Sequence, residues 1–254
     1  EQLSQTVTKA AVILPFEEAL LRRHGIDATF VGHPLLDRLD ELPSRDEARG
    51  RLRIGEAERV LALFPGSREQ EIRRHLDPFV GAARELQRRD PRLRVVVSVA
   101  PHIVLDAERC PFEMVRSESF TVLRAADAAL CKSGTTTLEA AVAGCPLVVA
   151  YRARAFDYAV GRWLVKIPHI GLVNIVAGRL LAPEFIQDAL RPMPVADALA
   201  PLLNPDSPER RTMIDGLAAV RSSLGQPGAA DRVADIAIEL ARRPGQPFGD
   251  PHVA

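Results

Sequence analysis

The sequence predicts an α/β fold built on a doubly wound parallel sheet, and three observations carry that reading. Val60 to Phe64 and Leu93 to Val99 are nearly pure apolar runs, as expected of strands buried on both faces of a parallel sheet. Between them, Glu69 to Arg89 repeats apolar side chains at Ile72, Leu76, Phe79, Val80, Ala83 and Leu86, the spacing of one helix face. The alternation of strand and helix then continues down the chain, which calls for right-handed crossovers.

In chain order, Lys9 to Pro15 reads as a buried strand, Glu17 to His24 as a short helix closed by Gly25, and Ala28 to Val31 as a second strand. One βα unit and a further strand are too little to stand by themselves. Residues 1–43 are therefore expected to be the remnant of a first half. Ser44 caps a short helix to Leu52, with Glu47 in the capping-box position. Asp90-Pro91 breaks the long helix. Pro101 to Ser119 reads as a helix and a short strand near Phe112 to Val115, followed by a helix over Thr121 to Ala125. Next come a strand at Asp127 to Leu130, a helix from Thr135 to Ala143 ended by Gly144, and a strand at Pro146 to Ala150.

Beyond Tyr151, the residues Phe156, Ala159, Val160, Trp163 and Leu164 share one helical face flanked by Arg152, Arg154, Arg162 and Lys166. This pattern fits a packed helix with snorkelling cations or an interfacial helix facing anionic lipid. Further helices are expected at Glu184 to Leu190, Val195 to Leu203, Ser207 to Leu224 and Ala229 to Arg242. The implied organisation is a nucleotide-binding domain over 44–225, a C-terminal helix over 226–243 and a disordered tail over 244–254.

The 33 basic and 33 acidic side chains balance, so global charge does not point to nucleic acid. Cys110, Cys131 and Cys145 have no metal-ligand spacing, and a reduced intracellular protein is the simplest expectation. No apolar run approaches the ~20 residues of a membrane span.

Two turns carry the chemistry. Pro65-Gly66-Ser67-Arg68 follows the strand ending at Phe64, and Lys132-Ser133-Gly134-Thr135-Thr136 follows a later strand. Each opens a helix, whose first N–H groups and positive dipole end suit an anion. In a parallel sheet both lie at carboxyl strand ends, where open α/β folds bind ligands. Together with an arginine and a lysine they predict a nucleotide diphosphate site, with Glu139 placed to accept hydrogen bonds from a ribose. Neither turn matches G-x-x-x-x-G-K-[ST] or G-x-G-x-x-G, so an ATPase P-loop and a dinucleotide fold are unsupported.

The segments L-F-P-G-S-R-E-Q-E-I (Leu63 to Ile72), S-G-T-T-T-L-E (Ser133 to Glu139), N-I-V-A-G-R (Asn174 to Arg179) and P-E-F-I-Q (Pro183 to Gln187) resemble the lipid-A-disaccharide synthases. F-V-G-H-P-L-L-D (Phe30 to Asp37) and L-P-F-E (Leu14 to Glu17) fit the same family, and the resemblance runs over residues 9 to 240. It implies the C-terminal part of a GT-B glycosyltransferase, with two Rossmann-like halves. The implied reaction is inverting transfer from UDP-2,3-diacylglucosamine to 2,3-diacylglucosamine 1-phosphate (lipid X), releasing UDP, without a metal or other cofactor. Arg68 is expected to counter charge on the leaving diphosphate. Gly66, Ser67, Ser133, Gly134, Thr135 and Thr136 are expected to supply N–H and hydroxyl donors, and Glu139 to hold the ribose.

Asn174, Glu184 and Gln187 fit either cleft positions near the donor sugar or scaffold positions. His33 fits a turn cap or a cleft position, and Glu71 a cap for its own helix and nothing more. By the resemblance, the acceptor site and general base belong to an upstream half, so the chain is expected to be a fragment that pairs with that half or with a second copy. The expected location is the cytoplasmic face of a Gram-negative-type inner membrane. Rival readings are a peptidoglycan N-acetylglucosaminyltransferase, a UDP-sugar epimerase and a non-catalytic binding or assembly module. The first two are expected to carry Gly-Gly-Ser-type and Ser-Gly-Gly turns respectively, which this sequence lacks.

Overall fold

The computed structural model describes residues 4, 6–105, 107–153 and 168–242. The chain divides into two units, one of residues 1–41 with 222–254 and one of residues 42–221. Most of the amphipathic segment after Tyr151 and the expected C-terminal tail lie outside the described residues.

The first unit opens with β1 (Ala10–Val12), α1 (Pro15–Arg23) and β2 (Ala28–Phe30), with β1 and β2 paired in parallel. Pro15 suits the first helical position because the N–H it lacks would have no partner there. His33 is buried, and its Nδ1 accepts the Leu35 N–H at 3.2 Å, which makes it a turn cap.

The second unit begins with α2 (Arg45–Arg51), where Ser44 Oγ accepts the Glu47 N–H and Glu47 returns a bond to the Ser44 N–H, as the capping-box spacing predicts. There follow β3 (Val60–Phe64), α3 (Glu69–Arg89), β4 (Arg94–Val99), β5 (Glu113–Arg116), α4 (Ser119–Ala125), β6 (Ala128–Lys132), α5 (Thr136–Ala143) and β7 (Leu147–Tyr151). The unit closes with α6 (Leu172–Ala177), β8 (Glu184–Ile186), α7 (Pro192–Leu203) and α8 (Pro208–Ser223), the last residues of α8 falling in the first unit.

The strands form one parallel sheet in the order β5-β4-β3-β6-β7-β8. This is the Rossmann-like 3-2-1-4-5-6 arrangement, with the strand order reversing between β3 and β6. Every residue of β3 is buried. Burying such Val, Leu and Phe side chains contributes about 1.5–3 kcal/mol each, which is why the unbroken apolar runs become central strands. Gly144 ends α5 in the left-handed region at φ 71°, where a side chain is strained.

Two expectations change. Glu184 to Leu190 is not a helix: β8 adds to the sheet beside β7, and Gln187 at φ 52° turns the chain into a short 3-10 segment over Gln187–Ala189. Over so few residues, edge pairing with β7 decides the conformation. Among its described residues, the stretch from Pro101 to Phe112 is turns and irregular chain rather than a helix.

The last helix, α9 (Ala229–Arg242), groups with the first unit. Asp37 Oδ1 accepts the N–H groups of Gly228 and Ala229 at 2.6 and 3.2 Å, and the Arg232 guanidinium reaches the Val31 carbonyl at 2.7 Å. An acidic side chain at a helix N-terminus is favoured there. Its partner lies 191 residues away in sequence, which no local pattern reveals.

Candidate active site

A cavity of about 390 Å³ opens at the carboxyl ends of β3, β4, β5 and β6, over the point where the strand order reverses. The turn after β3 forms one wall. There Gly66 takes φ 130°, outside the range of other residues, and this lets the N–H groups of Ser67 and Arg68 point the same way. The opposite wall comes from Lys132 at the end of β6, the turn Gly134–Thr135, and Thr136 and Glu139 in the first turn of α5. Ser98 to Pro101 after β4 and Ser117 to Ser119 after β5 close a third side.

Seven expected site residues therefore line one cavity: Gly66, Ser67, Arg68, Gly134, Thr135, Thr136 and Glu139. The arginine is presented outward, with 83% of its side chain exposed. Ser133 is different. Its N–H pairs with the Ala150 carbonyl and its hydroxyl donates to the Ile170 carbonyl, both at 2.8 Å, so both donors hold scaffold. Thr137, not anticipated from sequence, braces the same turn: its hydroxyl donates to the Gly134 carbonyl at 2.8 Å and accepts the Val173 N–H at 3.3 Å.

Asn174, Glu184 and Gln187 are not among the lining residues, and the scaffold alternative describes their contacts. Asn174 is fully buried. Its Oδ1 accepts the Leu181 and Ala182 N–H groups at 2.9 and 2.8 Å, while Nδ2 donates to the Ala182 carbonyl and to Glu184 Oε1, both at 2.8 Å. Glu184 in turn accepts from the Ile170 and Gly171 N–H groups at 3.1 and 2.8 Å. Gln187 clamps Ala153, accepting its N–H at 2.8 Å and donating to its carbonyl at 3.3 Å.

The cavity's electrostatics centre on a residue expected to do no more than cap a helix. Glu71 Oε2 accepts from the Ser67 N–H at 3.0 Å and the Arg68 N–H at 3.3 Å, and its Oε1 lies 2.9 Å from Lys132 Nζ. It thus ties the β3 turn to the end of β6. Burial pushes its carboxyl up, but the Lys132 ammonium and the two N–H groups outweigh that and hold it below its ordinary value. Lys132 and Glu71 are 61 residues apart, so only the adjacency of β3 and β6 brings them together.

Behind this pair, His75 is 1% exposed, with Nδ1 2.7 Å from the Glu71 carbonyl and Nε2 accepting the Arg152 N–H at 2.9 Å. Nδ1 therefore carries the proton, and the ring is neutral. Burial, ahead of the opposing bond to the Glu71 carbonyl, holds its pKa below the ordinary 6.5, and the nearby Lys132 and Arg152 charges act in the same direction as burial. A histidine with a lowered folded pKa contributes stability in full above 6.5, and that stability is lost as pH falls below this value toward the folded pKa. Thermal midpoints are expected to drop over this range, and to drop less in His75→Gln, which keeps a donor and an acceptor without titrating. An identical pH profile in that variant would remove His75 as the source.

All three cysteine thiols are buried and held above their ordinary pKa, Cys145 at about 12, so at neutral pH they are inert thiols rather than nucleophiles. Among the described residues, no cluster of three or more His, Cys, Asp or Glu side chains could hold a metal, and no helix is long and apolar enough to cross a membrane.

Comparison with known proteins bears on the same region. The family model for lipid-A-disaccharide synthetase matches residues 1–228. The lipid-A-disaccharide synthase of Syntrophus aciditrophicus is 40% identical over 250 residues, covering 95% of this chain and 65% of the relative. That of Myxococcus xanthus is 39% identical over 248 residues, covering 94% and 64%. The chain thus spans just under two thirds of the length of these relatives. In fold it is similar to the S. aureus MnaA–UDP co-structure, with TM-score 0.61, 12% identity, and coverage of 96% of this chain and 64% of that one. A putative UDP-N-acetylglucosamine 2-epimerase from Listeria monocytogenes gives TM-score 0.58 at 16% identity, covering 93% and 60%. At these identities the two structures speak to the Rossmann-like fold alone. The family is carried by the sequence matches, and on them the chain belongs to the lipid-A-disaccharide synthetase family.

Proposed function

We propose that this chain binds the UDP-sugar donor of a lipid-A-disaccharide synthase, which transfers 2,3-diacylglucosamine from UDP-2,3-diacylglucosamine to lipid X with inversion. The observation that carries the reading is the convergence of the β3 and β6 turns on one cavity at the sheet's switch point. Family membership supplies the substrate class.

In this reading the N–H groups of the Gly66–Arg68 turn and the start of α5 hold the diphosphate, and Glu139 holds the ribose. As the sugar–phosphate bond breaks, negative charge grows on the UDP oxygen. Arg68 and Lys132 come from the two facing walls of the cavity, and their positive charges would stabilise it. The exposed Arg68 side chain can swing onto the donor, whereas Lys132 is held in the wall.

Titration of the chain with UDP in a calorimeter is expected to release binding heat. No heat from a chain with a folded circular-dichroism spectrum would overturn the reading. Arg68→Ala is expected to weaken UDP by about ten- to a hundredfold while leaving uridine nearly unchanged, since a charge-assisted bond contributes about 1.5–3 kcal/mol. Equal loss for both ligands would place Arg68 away from the diphosphate.

A further inference from the structure

The donors suited to a diphosphate are already gathered on an anion of the protein's own. Ser67 N–H, Arg68 N–H and Lys132 Nζ all bond the Glu71 carboxylate, and Arg68 Nη1 lies 4.0 Å from its Oε1. Glu71 lines the cavity wall, and its side chain is 16% exposed. A simple helix cap would need only the Arg68 N–H. Glu71 also takes the Ser67 N–H and reaches across the switch point to the end of another strand.

We propose that Glu71 is an internal stand-in for the donor diphosphate, a specificity residue that holds the anion seat and is exchanged for phosphate oxygens when a nucleoside diphosphate enters. The inference rests on the reading of the cavity as a UDP-sugar site. Two physical facts drive the exchange. The same N–H groups and ammonium cannot bond a carboxylate and a phosphate at once. A phosphate oxygen brought beside the retained carboxylate would also meet like charge in a partly desolvated wall. A ligand must therefore bring enough negative charge and enough acceptors to displace Glu71. A diphosphate does so with oxygens on two phosphorus atoms, a monophosphate less well, and a nucleoside not at all. Glu71 in this way keeps Lys132 and the β3 turn assembled before the donor arrives, and sets the charge that a ligand must carry.

A cap and a competitor respond oppositely to removal. Glu71→Gln keeps the side-chain length and an oxygen for the Ser67 N–H, but loses the charge that holds Lys132. Calorimetric titration of the full chain with UDP, UMP and uridine is expected to show UDP about tenfold tighter in the variant. UMP should gain at least as much, so that the preference for diphosphate over monophosphate narrows, and uridine should not change. In thermal melts the ligand-free variant is expected to be less stable than the unmodified chain, while the stabilisation by UDP grows. Glu71→Asp, whose arm is one methylene shorter, serves if the Gln variant does not fold, with a smaller gain for UDP in the same direction. Weaker or unchanged UDP binding in a folded variant would overturn the inference and leave Glu71 as a cap. No heat with UDP in the unmodified chain would instead overturn the site reading, and this inference with it.

Discussion

Gly66→Ala is expected to cost the second unit about 2–4 kcal/mol and to weaken UDP by more than about a hundredfold. The residue sits at φ 130°, where an L side chain is strained, and a Cβ there would lie 2.6 Å from Glu71 Cβ and 2.8 Å from its Oε2. The nearer of these atoms is fixed to the backbone of α3 and cannot swing aside, so the turn has to move. Moving it redirects the Ser67 and Arg68 N–H groups and shifts the Glu71–Lys132 link that they share. Urea unfolding measures the first effect and calorimetry the second. A Gly66→Ala chain that binds UDP normally would show that this turn does not hold the diphosphate.

Asn174→Ala is expected to have the largest effect on stability away from the cavity, a loss of about 3 kcal/mol or more. The side chain is fully buried, and removing it takes away the bonds to the N–H and carbonyl of Ala182 and the donor facing Glu184. Leaving a buried polar group unpaired costs about 1–3 kcal/mol, and the Leu181 and Ala182 N–H groups lose their side-chain acceptor together. The denaturation midpoint should fall sharply, while UDP affinity, measured where the variant remains folded, stays within about twofold. The reverse pattern, normal stability with weakened donor binding, would return Asn174 to the sugar site.

These two residues show what kinds of information a sequence carries. Gly66 was legible because a Pro-Gly-Ser-Arg turn between an apolar run and a 3.6-residue period is a local signal, as is the Ser-Gly-Thr turn before α5. Asn174, Glu184 and Gln187 stood out in the family motifs, yet a motif does not say whether its residues hold a substrate or the backbone. Apart from the bond between Asn174 and Glu184, their hydrogen bonds go to loop and strand-end backbone outside the motifs. Glu71 shows a related limit. Its position in the first turn of a helix already had a sufficient local explanation, and the lysine that gives it a second role is distant in sequence. The lining after β4 and β5 is not legible locally either, because Ser98 to Pro101 and Ser117 to Ser119 carry no glycine-rich signature. They belong to the site because β4 lies beside β3 and β5 beside β4, so the carboxyl ends of all three open on the same edge of the sheet.

The amino-acid sequence by itself determined most strands and helices of the second unit, though not β8, α6 or the irregular stretch after β4, together with the two turns after β3 and β6 and the family. All of these follow from side-chain periodicity, turn chemistry and residue identity over short spans. The tertiary structure alone decided which strands became neighbours. Parallel pairing of β3 with β6 joins residues 67 apart in sequence, as Leu61 with Ala128, selected by burial of both strands on both faces, and no local pattern encodes it. That single adjacency brings the turns to one cavity, sets Lys132 against Glu71, and makes a helix cap the anion that the donor has to displace.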